Sequence, residues 1–429
     1  MHILAGAAAA ARVRKIAARG SRYAEVDPAV RRILADVRRH GDRALRKYAE
    51  RWDGLRPGES LQVSEKEIQA AWKSARPELK QSLKVAAANI RRFCEMQKPV
   101  EWMRTRQGIS VGQLVRPLSS VGCYVPGGRY PLVSTLLMTV IPAQVAGVVN
   151  IAVASPQPQS DVLAAAGMLG IRKVYRAGGA QAIAALAYGT DSIPRVDKIV
   201  GPGNLYVTAA KKQVAFDCSI DFLAGPTEVV VVSNKGKPEF IAGDLIAQAE
   251  HDPEALAVFI TTRRDLGSQV SRWVDEFDAG NTLARESIRR RGVILISRSR
   301  EQSFEWANEI ASEHLTIDAA DARLVCNAGS VFVGDYSPQA AGDYASGPNH
   351  VLPTGGVARF RGGLSVLDFV KLISVQRLSR PGLRAIAHHV EFLADTEGLR
   401  AHAQSIRTRC TREVGIKGDK VGAKEVLAK

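Results

Sequence analysis

Apolar residues recur at helical spacing through much of the first hundred positions of the chain. The stretch DPAVRRILADVRRHGDRALRKYAERW opens on Asp27 and Pro28, an acidic cap followed by a proline that suits the first turn of a helix. A second helical stretch begins with Ser64 and Glu67, which have the spacing of a capping box. The pattern predicts a helical layer or arm over about residues 27–100.

Short apolar runs alternate with helical patterns between about residues 120 and 235. The runs with strand composition are continuously apolar, and they are VNIAVAS, KVYRAG, VDKIVG and EVVVVS. Such strands are typical of a parallel sheet that helices cover on both faces. The alternation continues through LAVFITT, GVILISR and AGSVFVGD, and helical, charged sequence returns from about residue 374. The predicted fold class is therefore α/β, with doubly wound parallel sheets and helical segments at both ends.

The length of the chain and its apolar content bound this prediction. A chain of 429 residues is too long for one hydrophobic core and should form two or three domains. Hydrophobic residues make up 46% and charged residues 24%, which are ordinary values for a folded protein. The sequence contains neither a convincing internal repeat nor a low-complexity linker.

The formal net charge of +16 is the one unusual feature of the composition, and it raises nucleic acid or another polyanion as a partner. However, Arg alternates with Asp and Glu in the helical segments, and no block of five or six like charges occurs. A solvated basic surface is the better interpretation, so a nucleic-acid partner is not expected.

Segments for export or membrane insertion are not expected either. No run of eighteen apolar residues occurs, and in MHILAGAAAAARVRK the basic residues follow the apolar run, whereas in a signal peptide they precede it. The cysteines lack the spacing of a metal or redox motif, as expected for reduced thiols of a cytoplasmic protein. Cys123 lies beside a Gly-rich loop, and we expect it to be a small buried side chain and not a nucleophile.

Glycine-rich turns follow the predicted strands at four places, in YVPGGRYPL, RAGGAQAI, VGPGNLYV and LAGPTEVV. Glycine lets the backbone approach a ligand closely, and open parallel sheets bind ligands beyond the carboxyl ends of their strands. None of the turns matches G-x-G-x-x-G, so the ordinary dinucleotide fingerprint is absent. Each turn alone is about as well explained by a structural role, but four together favour a binding crevice.

Two pairs of side chains could bind a metal or move a proton. Gln248 and His251 in DLIAQAEHD are three residues apart, on one face of a predicted helix, and an amide oxygen and an imidazole can both bind zinc. Glu313 and His314 in NEIASEHLTI lie at the end of another predicted helix. Neighbours in a helix point about 100° apart, so we expect both to act on a third group and not to bond each other. Taken alone, either pair is better explained as a solvated helix surface.

Further candidates lie in turn-rich sequence near the carboxyl terminus. His350 follows Gly-Pro-Asn in SGPNHVLPTGG, and Asp343 lies seven residues earlier. Loop residues of these types are more often functional than core residues are. His402 closes ADTEGLRAH, with Glu397 five residues before it and a predicted helix break at Gly398. From the residues alone, the chain is an α/β enzyme candidate with metal ligands at separated points.

Together the motifs AQAEHD, ASEHL, GDYASGPNHVLPTGG and EGLRAH resemble those of the histidinol dehydrogenase family in order and approximate spacing. The resemblance runs over nearly the whole chain, from VRRILADVRRHGDRALRKYAERWDG to EGLRAHAQSIRTR. It implies a zinc-dependent homodimer that oxidises L-histidinol through L-histidinaldehyde to L-histidine, using two NAD and one water. That reaction is the last step of histidine synthesis.

The resemblance also implies a division of the chain into two incomplete doubly wound, Rossmann-like domains. Residues 121–229 would form the NAD-binding domain, and residues 23–120 with 230–372 would form the α/β domain that carries the zinc and catalytic residues. An N-terminal helical segment would cover 1–22, and a C-terminal helical arm would cover 373–429.

Residue roles follow from the resemblance, position by position. His314 would take the alcohol proton in the first oxidation, and Glu313 would activate the water that attacks the aldehyde. One zinc ion per subunit would be held by Gln248, His251, Asp343 and His402, the last of these coming from a C-terminal arm that reaches the partner subunit. The substrate contacts would be Thr227, Gln248, His251, His314, Asp343, His350, Glu397 and His402. The NAD contacts would be Tyr124, Gln181 and Asn204.

Two features depart from the family pattern and leave alternatives open. The residue after AGP is commonly serine and is Thr227 here, which keeps the hydroxyl and adds a methyl group. The stretch RYPLVST, with Arg129 and Tyr130, resembles relatives that oxidise other polar alcohols such as dihydroxypropanesulfonate. The first alternative is therefore a zinc and NAD dehydrogenase of a sulfonated diol. The second is a polyanion-binding protein on this fold, against which the intact set of ligand and catalytic positions argues.

Overall fold

The structure is a computed structural model that describes residues 1–20, 23–127, 132–277 and 282–411. The stretch with Arg129 and Tyr130 lies outside the described residues. The chain forms two compact units, of which the larger contains Met1–Lys98 and Pro117–Val370 and the smaller contains Pro99–Arg116 and the residues from Lys371 onward. The strands are β1 (His2–Ala5), β2 (Trp102–Arg106), β3 (Ile109–Pro117), β4 (Ser120–Tyr124), β5 (Asn150–Ala154), β6 (Lys173–Tyr175), β7 (Lys198–Val200), β8 (Ser219–Ile220), β9 (Glu228–Val232), β10 (Leu256–Thr261), β11 (Val293–Ile296), β12 (His314–Ile317), β13 (Ser330–Val333) and β14 (Val370–Leu378). The helices are α1 (Gly6–Ala17), α2 (Asp27–Trp52), α3 (Glu65–Ser74), α4 (Pro77–Gln97), α5 (Val133–Ala146), α6 (Ser160–Met168), α7 (Gly179–Tyr188), α8 (Leu205–Val214), α9 (Pro238–Ala249), α10 (Arg264–Phe277), α11 (Thr282–Arg291), α12 (Arg300–Ile310), α13 (Gln339–Tyr344), α14 (Arg380–Thr396) and α15 (Arg400–Cys410).

The first sheet of the larger unit has the strand order β6-β5-β4-β7-β8, and all its pairings are parallel. Successive residues of β5 enter different cores, Ile151 and Val153 with α3 to α6 and Ala152 and Ala154 with α2, α7 and α8. Both faces of the strand are therefore buried, which explains its continuously apolar sequence. The chain reverses its direction of travel across the sheet between β4 and β7, which creates a crevice at their carboxyl ends.

The second sheet has the order β1-β11-β10-β9-β12-β13 and is also parallel. Apart from β1 at its edge, it repeats the order of the first sheet, with β9 in the place of β4. The repeat is one of topology and does not show in the sequence. The predicted fold class, doubly wound α/β with Rossmann-like halves, is confirmed.

The helices of the first hundred residues match the sequence patterns with two corrections. Ser64 caps α3 as predicted, because its hydroxyl accepts a hydrogen bond from the Glu67 N–H at 3.2 Å. Asp27, in contrast, is the first helical residue and makes no capping bond. The second helical stretch is two helices, which are separated before Pro77. In the cores, α2 to α4 pack on the first sheet. The division of the chain into domains stays a prediction.

The smaller unit contains the strands β2, β3 and β14 in one sheet, with the helices α14 and α15. Arg407 of α15 pairs with Glu391 at 3.0 Å and with Asp395 at 2.7 Å, which ties the two helices together. The predicted C-terminal arm was expected to be helical from 373, but its first residues belong to β14. The β-branched residues of VKLISVQRL suit a strand.

Among the described residues, no helix combines the length and apolar character needed to cross a membrane. All five cysteines are free thiols. Cys123 is fully buried, as predicted, and burial raises the pKa of its thiol to about 12, which suits a core residue and not a nucleophile.

Candidate active site

The amino ends of two neighbouring strands bring the predicted acid and base together. Thr227 and Glu228 lie at the start of β9, and Glu313 and His314 at the start of β12, which pairs with β9 in parallel. Parallel neighbours begin at the same edge of a sheet, so these residues meet although about 85 positions separate them in the chain.

Glu313 and His314 do not lie at a helix end as the sequence pattern predicted. The helix α12 stops at Ile310, and Ala311 adopts the left-handed conformation with φ of 51°. A left-handed residue ends a helix and redirects the chain, and His314 then opens β12. The two side chains lie close together, with His314 Nδ1 3.6 Å from Glu313 Oε2, but within the described residues each forms its hydrogen bonds with other groups.

The carboxylate of Glu313 is held by two donors on the neighbouring strand. Its Oε2 accepts hydrogen bonds from the Thr227 hydroxyl at 2.6 Å and from the Glu228 N–H at 2.9 Å. The side chain is buried, and within the described residues its other oxygen makes no hydrogen bond. Glu313 is therefore fixed at one oxygen and has a second oxygen available for a ligand or water.

The imidazole of His314 is held by its other ring nitrogen. Nδ1 donates to the carbonyl oxygen of Glu228 at 3.2 Å, and the ring stacks on Phe332 with the centroids 5.8 Å apart. Nε2 is buried and has no hydrogen-bond partner among the described residues, although Asp343 Oδ1 lies 3.4 Å away. Burial opposes a charge on His314, but the carboxylates of Glu313 and Asp343 outweigh it and raise the pKa to about 10.

Asp343 lies near the three histidines of this region, His251, His314 and His350. It lies on α13, and its backbone carbonyl accepts a 2.6 Å hydrogen bond from His350 Nδ1. Burial raises the pKa of Asp343, but His314, His350 and His251 together hold it below the usual value. Burial lowers the pKa of His350, whose Nε2 lies 3.5 Å from the Thr135 hydroxyl.

Gln248 and His251 reach the same region from α9. Gln248 is buried in the last turn, and its Oε1 lies 2.9 Å from the Thr227 hydroxyl. His251 lies in the turn after α9, so the prediction that the two residues share one face of a helix is wrong. Within the parts of the chain that the structure describes, no three His, Cys, Asp or Glu side chains gather closely enough to hold a metal.

Glu228 and Arg19 are site residues that sequence reasoning missed. The backbone of Glu228 binds both Glu313 and His314, while its buried carboxylate forms two hydrogen bonds with the Arg19 guanidinium, at 2.5 and 2.6 Å. Burial raises the pKa of Glu228, and Arg19 offsets part of that shift. The signal that could have revealed this pair is a glutamate that opens an otherwise wholly apolar strand, EVVVV.

The three predicted NAD contacts line one cavity of about 600 Å³ at the carboxyl ends of the first sheet. Tyr124 ends β4, and its hydroxyl accepts a hydrogen bond from the Gly179 N–H at 3.1 Å. Asn204 caps α8 by accepting from two backbone N–H groups at 3.1 Å. Gln181 donates to the buried carboxylate of Asp53 at 3.0 Å, and Asp53 is a cavity residue that the sequence gave no reason to select.

The remaining predicted residues, Glu397 and His402, belong to the smaller unit. Glu397 follows α14, Gly398 has φ of 77° and interrupts the helical path, and His402 lies in the first turn of α15. The predicted break is thus present. Both side chains are exposed.

Hydride transfer needs a base beside the alcohol and a cavity for the dinucleotide. The larger unit supplies a buried acid–histidine pair at one sheet and a cavity at the other, and the protein is an oxidoreductase of the α/β class.

Comparison with known proteins identifies the family. The histidinol dehydrogenase family model matches residues 17–410, and the chain belongs to that family. It is 48% identical to the histidinol dehydrogenase of Methanothermobacter thermautotrophicus over 88% of this chain and 92% of that protein. It is 45% identical to that of Bacillus cereus over 90% of this chain and 93% of that protein. The crystal structure of histidinol dehydrogenase from Elizabethkingia anophelis superposes with a TM-score of 0.91 at 34% identity, covering 95% of this chain and 98% of that one.

The alternatives raised by the sequence receive no support from these relatives. Neither a dehydrogenase of sulfonated diols nor a polyanion-binding protein is among the proteins compared above.

Proposed function

We propose that the protein oxidises L-histidinol through L-histidinaldehyde to L-histidine, with NAD as the hydride acceptor and one zinc ion per subunit. The observation that carries the proposal is the buried Glu313–His314 pair, in which one carboxylate oxygen and His314 Nε2 make no hydrogen bond among the described residues. The identity of the substrate, L-histidinol, is inferred from the family and from the relatives named above.

His314 is suited to take the proton of the alcohol. The carbonyl of Glu228 can only accept, so Nδ1 carries the ring proton and a neutral imidazole presents its lone pair at Nε2. Nε2 is buried and unbonded, which leaves that lone pair for the substrate. The raised pKa reflects the charges of Glu313 and Asp343, and a cation bound to Asp343 would lower it toward neutrality.

Glu313 is suited to the second oxidation, in which water adds to the aldehyde. The Thr227 hydroxyl and the Glu228 N–H fix Oε2, so the carboxylate keeps one orientation while its other oxygen accepts a proton from water. Threonine carries a hydroxyl group as serine does, and the additional methyl group of Thr227 does not prevent this hydroxyl from donating to Glu313.

The donor set of Gln248, His251 and Asp343 fits zinc, because it combines imidazole nitrogen with amide and carboxylate oxygens. The single proton of the Thr227 hydroxyl is best placed on the 2.6 Å bond to Glu313. The amide group 2.9 Å away then binds Thr227 best through its nitrogen, and that orientation frees the Gln248 oxygen for a cation. When bound, zinc would orient the alcohol and polarise it.

His402 and Glu397 complete the site in this proposal. Their exposure, and the lack of three clustered His, Cys, Asp or Glu side chains in the described residues, support a site that a second copy of the chain completes. The C-terminal arm of each protomer would then supply His402 to the metal and Glu397 to the cationic amine of histidinol, within a homodimer. His350, held by Asp343, would be a further substrate contact.

NAD would occupy the cavity lined by Tyr124, Gln181 and Asn204. The volume of about 600 Å³ falls in the range of small-molecule and cofactor sites. Free, reduced cysteines support a cytoplasmic location.

The test is an activity assay on the metal-free and the zinc-loaded protein. Removal of the metal should abolish NADH formation from L-histidinol, and added zinc should restore it. Asp343→Asn should lower zinc binding in a metal-content measurement, because it removes a carboxylate ligand. Asp335→Asn, an exposed neighbour, should leave zinc binding unchanged. Full activity of the metal-free protein would contradict the role of zinc.

A further inference from the structure

Asp53 is a buried carboxylate in the wall of the cavity of the first sheet, and neither the catalytic site nor the predicted NAD contacts account for it. It follows the last residue of α2 and is only 7% exposed. Its Oδ2 accepts hydrogen bonds from the Gly178 N–H at 2.8 Å and from Gln181 Nε2 at 3.0 Å. Within the described residues, Oδ1 makes no hydrogen bond.

The burial of the charged Asp53 carboxylate is unfavourable for folding. Burial raises the pKa of its carboxyl group, and only the bonds from Gly178 and Gln181 offset that shift. No basic side chain of the described residues contributes to that balance, so the carboxylate is not neutralised. A carboxylate oxygen that has no protein partner and belongs to a residue in a cavity wall can accept a hydrogen bond from a ligand.

The same carboxylate excludes phosphate from the nearest helix end. Helix N-termini bind phosphate through free N–H groups. At the start of α7, however, the Gly178 N–H is taken by Asp53 and the Gly179 N–H by the Tyr124 hydroxyl. This part of the cavity therefore suits a neutral hydroxyl and repels an anion.

The residues that line the cavity come from elements with different connections to the catalytic residues. Asn204 caps α8, and Thr208 of that helix donates to the Ala224 carbonyl at 3.1 Å, three residues before Thr227. We therefore place the nicotinamide beside Asn204, where it can meet the substrate. Ile33 and Trp52 of α2 also line the cavity and give an apolar surface that suits adenine, and Asp53 directly follows Trp52.

In ordinary dinucleotide-binding folds, an acidic residue after the second strand binds the adenosine ribose. In the first sheet here that strand is β5, and it is followed by Ser155, Pro156 and Gln157, none of which is acidic. Asp53 brings a carboxylate to the cavity from α2 instead.

Building on the proposed function, we propose that Asp53 accepts a hydrogen bond from the 2′-hydroxyl of the adenosine ribose and thereby selects NAD against NADP. The 2′-phosphate of NADP would place a second anion against a buried, unneutralised carboxylate. Asp53 is then a specificity-determining residue that takes no part in hydride transfer.

The test compares NAD and NADP in steady-state kinetics with saturating L-histidinol, for the unsubstituted protein, Asp53→Asn and Glu50→Gln. Asp53→Asn should lower the ratio of kcat/KM with NAD to kcat/KM with NADP by at least about tenfold, because the carboxylate that repels the 2′-phosphate is removed. Glu50→Gln makes the same charge change at an exposed position of α2 and should leave the ratio unchanged. A ratio for Asp53→Asn within about twofold of the unsubstituted value would overturn the proposal.

A second measurement avoids any effect of substitution on folding. With the unsubstituted protein, NAD that lacks the 2′-hydroxyl of its adenosine ribose should bind with a Kd raised by about tenfold or more in a calorimetric titration, since the carboxylate loses its donor. Equal Kd values for both dinucleotides would refute the inference. Failure of the proposed function is distinguishable, because the unsubstituted, zinc-loaded protein would then form no NADH with either.

Discussion

At the scale of single residues, the proposed chemistry depends on neighbouring groups that bind one atom of each catalytic side chain and leave another atom available for the substrate. The carbonyl of Glu228 fixes the proton of His314 on Nδ1, and the Thr227 hydroxyl fixes one oxygen of Glu313. The residues alone made Glu313 and His314 candidates, but only the family motif gave them roles as acid and base. Their partners could not be predicted, because a backbone carbonyl and N–H carry no signature in the sequence. Asp53 escaped prediction for a similar reason, since its role depends on Gly178 and Gln181, more than a hundred positions away.

Substitution of His314 tests its assignment as the base. His314→Asn should lower kcat by about 10²–10⁴-fold, the usual contribution of a general base. Zinc content and Tm should stay near those of the unsubstituted protein, and His2→Asn, an exposed control on β1, should have no effect. A His314→Asn protein with undiminished kcat would show that another group takes the proton.

The raised pKa of Asp53 predicts how the stability of the protein depends on pH. As pH rises from the unfolded pKa of this carboxyl group to its folded pKa, its ionisation destabilises the folded protein, and the destabilisation persists at higher pH. Asp53→Asn has no such destabilisation, so its Tm relative to the unsubstituted protein should be more favourable at pH 7 than at pH 4. Thermal unfolding at the two pH values measures the difference. A difference that moved the other way would mean that the carboxylate stabilises the fold when ionised.

At the scale of elements, the strands were predictable because double burial leaves a continuous apolar run, as in EVVVVS and LAVFITT. The boundary between α12 and β12 could not be predicted, because the helical spacing of apolar residues continues past Ile310. The helix ends because Ala311 takes a left-handed conformation, which alanine rarely adopts, so its sequence gives little warning. The packing that supports this turn, not the local sequence, places Glu313 and His314.

The Arg19–Glu228 pair joins three of these elements. Arg19 follows α1, binds the carboxylate that opens β9, and donates to the carbonyl of Ile310 at the end of α12. Arg19→Met would leave Glu228 buried without its partner and should lower the free energy of unfolding by about 3–5 kcal/mol. Combining it with Glu228→Gln should recover much of that loss, because no buried charge remains. Denaturant unfolding of the two variants and the unsubstituted protein tests this, and equal stability of Arg19→Met and the unsubstituted protein would show that the pair does not hold the elements together.

At the scale of the whole molecule, two sheets of the same topology serve different purposes. The first has a cavity at the carboxyl ends of its strands, where such sheets usually bind ligands, whereas the second carries Glu313 and His314 at the amino ends. Sequence patterns predicted both sheets but not which end of the second is used, because strand periodicity does not distinguish the two edges. A metal ligand from a second copy, as proposed for His402, would lie beyond any pattern within one chain. The residues alone made His402 a candidate, and only the family motif gave it that role.

The proposed exchange of arms between subunits can be tested by complementation. In a heterodimer of His402→Ala and His314→Asn, one site would contain both intact residues if the arm reaches the partner, and no site would if it stays in its own subunit. Mixing the two inactive proteins with subunit exchange should therefore restore about a quarter of the original activity for random pairing. An inactive mixture in which heterodimers have formed would contradict the exchange.

The most direct test of the central claim is the amount of NADH formed per L-histidinol consumed by the zinc-loaded protein. Two NADH per histidinol, with L-histidine as the product, is the expected result, because His314 and Glu313 would support successive oxidations at one site. One NADH per histidinol with release of the aldehyde, or no turnover at all, would contradict it.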